Sequence, residues 1–155
     1  MKVGVASDHR GYDCKKRSLP LLKKMGHEVE DFGCDSTASC DYPDFAAPAA
    51  RAVAEGRCEV AILFNGSGIG MSIVANKIPG VRAALAHDEV TAGRAREHNH
   101  CNVLCLGTDL LSDEHIRQII DKFLTTKCVP GRHDRRIAKI TQIEEESRNI
   151  PVNVR

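Results

Sequence analysis

The sequence predicts an α/β protein built on a five-stranded, doubly wound parallel sheet. Two observations carry that prediction. Five short apolar runs alternate strictly with five helix-like stretches, which is what parallel pairing through crossover helices requires. The third run, Val60-Ala61-Ile62-Leu63-Phe64, is apolar throughout, as a strand covered on both faces must be. It leads into Asn65-Gly66-Ser67-Gly68-Ile69-Gly70, where alternate glycines let the backbone turn tightly and approach a ligand closely. Strand, glycine loop and helix start suit an anion; a plain tight turn is the other reading. The spacing fits neither the dinucleotide fingerprint nor a Walker loop.

Taken in order, Lys2 to Ala6 reads as a first strand, ending in Ser7-Asp8-His9-Arg10-Gly11. A helix follows over Tyr12–Met25, with Leu19, Leu22 and Met25 on one face and Gly26 as its stop. Pro20 lies inside it and is expected to bend or restart it. Glu28 to Phe32 is the second strand, and Gly33 to Tyr42 a polar loop. Pro43 opens an Ala-rich helix to about Ala54, with Pro48 expected to set its first turn apart. After the central strand and the helix beginning near Gly70, Ile78-Pro79-Gly80 is a turn and Val81 to Ala86 a fourth strand. Glu89 to Asn99 is helical and Asn102 to Gly107 a fifth strand. Ser112 caps a helix to about Thr125 with Ile116, Ile119, Ile120 and Phe123 apolar. A last helix, Arg132 to Arg148, carries Ile137, Ile140 and Ile143 on one side. It is left over after the five units and is suited to covering a neighbouring subunit. The chain thus reads as a single domain over 1–148 with a loose tail over 149–155.

Composition narrows the function. The 155 residues suffice for one domain with a sizeable core. A net charge of +1 and few aromatics give no reason to expect nucleic acid or an anionic membrane as partner. No apolar run is long enough to span a bilayer, and Met1-Lys2-Val3-Gly4-Val5 reads as a strand rather than a leader. The seven cysteines, odd in number and without a C-x-x-C pair, read as free thiols in a reducing cytoplasm.

In a doubly wound sheet the ligand sits beyond the carboxyl ends of the strands. That rule gathers Asp8-His9, the Asn65–Gly70 loop, His87-Asp88 and the turn after Leu106. Elsewhere, His98-Asn99-His100 ends the fourth helix; it reads as a surface cap or as part of a site, with metal ligation disfavoured because the two imidazoles point apart. Arg132 and Arg136, four apart on one helical face, read as a solvated basic patch or as a phosphate clamp.

Six motifs, in this order, resemble a known family: Ser7-Asp8-His9-Arg10-Gly11, Asp41-Tyr42-Pro43-Asp44, Asn65 to Ser72, Ala75-Asn76-Lys77-Ile78-Pro79-Gly80, Arg96-Glu97-His98-Asn99 and Gly131-Arg132-His133. Together they resemble the type B ribose-5-phosphate isomerases, grouped with the galactose-6-phosphate isomerase subunits. The resemblance implies a Rossmann-like three-layer α/β/α sandwich, acting as a homodimer with sites shared between subunits. It implies aldose–ketose interconversion of a sugar phosphate without metal or organic cofactor. By the same resemblance Asp8 and His9 line the sugar-phosphate site with Tyr42 nearby. Gly66, Ser67, Gly68, Ile69 and Gly70 cradle the enediolate oxygen, the kind of charge that fixed N–H groups stabilise. His98 opens the sugar ring, Asn99 binds substrate, and Arg132 and Arg136 hold the phosphate.

The chain departs from that pattern where the chemistry is concentrated. Asn65 stands where the family commonly has its cysteine base, and Met71 where a second branch has a glutamate. An amide accepts no proton near neutral pH. The base must therefore come from Asp8 or a nearby thiol, or the chain is a non-catalytic sugar-phosphate-binding paralogue. Asp109 stands where the family usually has a phosphate-binding arginine, and its carboxylate would repel a phosphate rather than bind it. His100 stands where Asp is usual.

Overall fold

The computed structural model describes residues 1–148 and 150; the tail expected over 149–155 otherwise lies outside them. The elements are β1 (Lys2–Ser7), α1 (Tyr12–Lys24), β2 (Glu28–Asp31), α2 (Pro43–Ala54), β3 (Val60–Asn65), α3 (Ile69–Ala75), β4 (Ala83–Leu85), α4 (Glu89–Asn99), β5 (Val103–Gly107), α5 (Asp113–Thr125) and α6 (Arg132–Ser147). The strands form one parallel sheet in the order β2-β1-β3-β5-β4.

Strand alternation splits the interior into two cores. Val3, Val5, Ile62, Phe64, Leu104 and Leu106 face α1, α4 and α5. Ala6, Ala61, Leu63, Val103 and Cys105 face α2 and α3. On the second face Ala46, Ala49 and Ala50 are wholly buried; their small side chains let α2 sit close against the sheet. The result is the three-layer α/β/α sandwich. α6 contributes to neither core and leaves Ile140 and Ile143 exposed.

Three expectations change. Both α1 and α2 run unbroken through Pro20 and Pro48. Each proline frees the carbonyl four residues earlier, on Lys16 and Asp44, and both are exposed residues, so water can take the lost bond. The fourth strand is shorter than expected. Val81 N–H closes a turn onto Ile78, and Arg82 N–H donates to Asn102 Oδ1 at 2.8 Å, so pairing with β5 begins only at Ala83.

Candidate active site

The first group of predicted site residues lies where β1 and β3 end side by side. From β1 the chain leaves for β2, and from β3 for β4 on the other flank. The connections diverge there and open a crevice. Ser7 pairs with Phe64, and Asp8 N–H donates to Phe64 O at 3.2 Å, so Asp8 and Asn65 are neighbours. Asp8 is buried; its Oδ1 accepts the N–H groups of Arg10 and Gly11, each at 2.9 Å. Its Oδ2 takes no hydrogen bond among the described residues.

The glycine loop is packed as well as bent. Asn65 Oδ1 accepts the N–H of Gly68 at 2.6 Å, and Ser67 Oγ accepts that of Ile69 at 3.3 Å. Gly68 has φ +78°, and a Cβ there would strike Leu85 and come within 3.1 Å of Gly107 N. A Cβ on Gly70 would meet the Tyr42 ring at 2.8 Å, which puts Tyr42 over the loop. His9 Nδ1 accepts the Cys40 N–H at 3.3 Å, and Cys40 Sγ lies 3.8 Å from the same nitrogen. Burial pushes the Cys40 thiol up, against thiolate formation. A buried Lys15 ties down the start of the loop carrying Cys40 and Tyr42, donating to Asp31 Oδ1 at 2.6 Å and Cys34 O at 2.9 Å.

Asp109 is not the bare carboxylate expected from the sequence. Its Oδ2 accepts from Arg10 Nε at 2.9 Å and from Arg10 Nη2 at 2.6 Å. The pair lies against Gly66, where a Cβ would come within 2.6 Å of Asp109 Oδ2 and 2.9 Å of Arg10 Nε.

The second group lies elsewhere. α4 starts from the Asp88–Thr91 capping box, just beyond the carboxyl end of β4, and runs back along the sheet. Asp88 is thereby a helix cap. Over its eleven residues, at about 1.5 Å each, the helix travels roughly 16 Å. His98, Asn99 and His100 therefore sit toward the amino ends of the strands, away from Asp8 and Asn65. There α6 begins. The His98 and His133 rings stack with centroids 4.5 Å apart and planes within 8°. Arg132 Nε donates to His133 Nε2 at 3.4 Å, and His100 Nε2 lies 3.7 Å from Asp134 Oδ1. Burial first, then the charges of His98, Arg132, Arg136 and His100, hold the His133 imidazole below its ordinary range. A groove of about 880 Å³ between α4, α6 and the β4 edge takes in Asn99 but none of the glycine loop. Neither a hydrogen bond nor an ion pair joins the two groups among the described residues.

Arg10, Cys40 and His133 were not singled out as site residues from the sequence. Arg10 and His133 stood inside two of the motifs, but only the fold shows what their side chains touch. Cys40 reaches His9 across 31 residues of chain, which no local pattern announces.

The fold recurs in known proteins. The family model described as Ribose/Galactose Isomerase matches residues 3–140. A putative sugar phosphate isomerase of Bacillus subtilis is 44% identical over 148 residues, covering 95% of this chain and 99% of the relative. Ribose-5-phosphate isomerase B of Escherichia coli is 38% identical over 144 residues, covering 93% and 97%. The solved structure of Clostridium thermocellum ribose-5-phosphate isomerase B superposes with a TM-score of 0.93 at 43% identity, covering 94% of this chain and 99% of that one. With six motifs in order, one sheet topology and near-complete coverage of its relatives, the chain belongs to the ribose/galactose isomerase family of sugar phosphate isomerases, alongside ribose-5-phosphate isomerase B.

Proposed function

We propose that this protein interconverts ribose 5-phosphate and ribulose 5-phosphate through an enediolate, as a cytoplasmic homodimer whose sites are shared between subunits. The observation that carries the reading is Asp8 beside the glycine loop at the β1/β3 crevice, with an unengaged carboxylate oxygen next to backbone that can hold an oxyanion. In this reading Asp8 takes the role that Asn65 cannot fill and moves the proton between C1 and C2. Cys40 is the weaker candidate, because burial keeps its thiol protonated. Ser67 and the Gly66–Gly70 loop hold the enediolate oxygen through the N–H groups that the loop's own bonds leave over, those of Gly68 and Ile69 being taken by Asn65 and Ser67. His9 and Tyr42 line the sugar. His98 opens the ring, Asn99 binds it, and Arg132 and Arg136 hold the phosphate, all three functions supplied by the second copy.

Sharing is supported by the direction of α4, which carries His98 away from Asp8 within one chain. It is also supported by the exposed Ile140 and Ile143 of α6 beside a groove at the sheet edge. The test is direct: ketose formation from ribose 5-phosphate by the purified protein, with allose 6-phosphate as the competing substrate. One observation favours a second reading, a sugar-phosphate-binding paralogue without turnover: the Asn65 side-chain oxygen is committed to Gly68. Binding of ribose 5-phosphate with no ketose formed, and turnover appearing only in Asn65→Cys, would establish that reading instead.

A further inference from the structure

We propose that Arg10 is an anion-binding residue of this site, taking the phosphate of the substrate, and that Asp109 is the residue that positions it. The proposal rests on the sugar-phosphate reading above for the identity of the ligand, and on the geometry for the residue.

Arg10 follows Asp8 and His9 at the carboxyl end of β1, and its own N–H is fixed on Asp8 Oδ1. Its guanidinium crosses to the loop after β5 and meets a single oxygen of Asp109 through Nε and Nη2. Asp109 is itself held, its N–H donating to Gly66 O at 3.0 Å, and Thr108 Oγ1 lies 3.3 Å from Arg10 O. The guanidinium is thereby laid over Gly66, where a Cβ would crowd both it and the Asp109 carboxylate. Arginine has five N–H donors. Two serve Asp109, and among the described residues the other three take no protein acceptor. The side chain is 59% exposed, so those donors face solvent at the mouth of the crevice. Both residues lie on exposed surface, where an ion pair adds little to stability. Its effect is to fix the fork, so that less ordering is required when an oxyanion binds.

The experiment titrates inorganic phosphate into the full-length protein by calorimetry, and ribose 5-phosphate and unphosphorylated ribose in parallel. Arg10→Met is expected to weaken phosphate about tenfold or more, the usual scale for a hydrogen bond to a charged group. KM for ribose 5-phosphate should rise by a similar factor with kcat changed far less, and ribose binding should not move. Arg10→Lys should recover part of the affinity, and the thermal midpoints of both variants should match wild type. Asp109→Ala, which frees the Arg10 guanidinium, should weaken phosphate about threefold, and Asp109→Asn, which keeps a carbonyl oxygen for Arg10, should weaken it less. Wild-type phosphate affinity in Arg10→Met, or a loss shared equally by ribose, overturns the proposal. So does Asp109→Ala binding phosphate as tightly as wild type, and so does a wild type that binds no phosphate at millimolar concentration. A protein that binds phosphate through Arg10 yet turns over no sugar phosphate sinks the isomerase reading and leaves this one standing.

Discussion

The side-chain oxygen of Asn65 accepts the backbone N–H of Gly68 at 2.6 Å. The residue at the family's base position is thus part of the loop's own scaffold. It closes the turn that Gly68 makes at φ +78°.

Proton transfer should therefore depend on Asp8. Asp8→Asn is expected to lower kcat by about 10²–10⁴-fold, the usual contribution of a positioned base, with a small effect on phosphate affinity. Asn65→Cys alone removes the bond to Gly68 and should not exceed wild-type kcat, and in the Asp8→Asn background it should restore part of it. Steady-state kinetics on the three variants decide this. Full activity in Asp8→Asn would move the base elsewhere.

Shared sites make a mixing prediction. Asp8→Asn and His98→Asn homodimers should each be inactive. After denaturation and refolding together, half the dimers are mixed, and each mixed dimer holds one site built wholly from native residues. Activity should return to roughly a quarter of wild type in a two-fold symmetric dimer. No recovery, with sedimentation showing mixed dimers, would mean that each chain uses its own His98.

Thiol reactivity should sort the cysteines by environment. Burial pushes Cys14 and Cys101 up to about 11 and Cys105 well above the ordinary range. Cys128 is exposed and Cys40 half-buried. In the native protein a disulfide reagent near neutral pH should modify Cys128 quickly and Cys40 slowly, with the rest reacting only on unfolding. Fast labelling of Cys105 in the native state would contradict the packing of β5.

Stability should fall on mild acidification. His133 is held below its ordinary range by burial and then by positive neighbours, and His27 by burial and then by the amino terminus. The unfolded chain therefore binds more protons than the folded one just below the ordinary histidine value near 6.5, so stability rises with pH through that window. The full contribution is present above it and is lost as pH falls toward the depressed folded values. Thermal midpoints measured from about pH 7.5 down to about pH 5 should decline, and His133→Gln should make the decline shallower. An equal decline in His133→Gln would show that His133 titrates normally.

The sequence by itself determined the sheet, the order of its elements and the family. Those are written in periodicity and in short contiguous motifs: the apolar run Val60 to Phe64, the glycines after it, the Ser112 cap. Each works through neighbours a few residues apart, so a linear reading recovers it. Tertiary structure alone decided which groups share a place. Asp109 reads as a repelling charge until Arg10, 99 residues away, is seen on its carboxylate. His98 reads as a helix end or a site residue, and only the packed structure shows α4 carrying it toward the other end of the sheet, where it stacks on His133. Charge pairing and ring stacking act through space, over distances set by the packing of helices on the sheet, and nothing local in the chain encodes them.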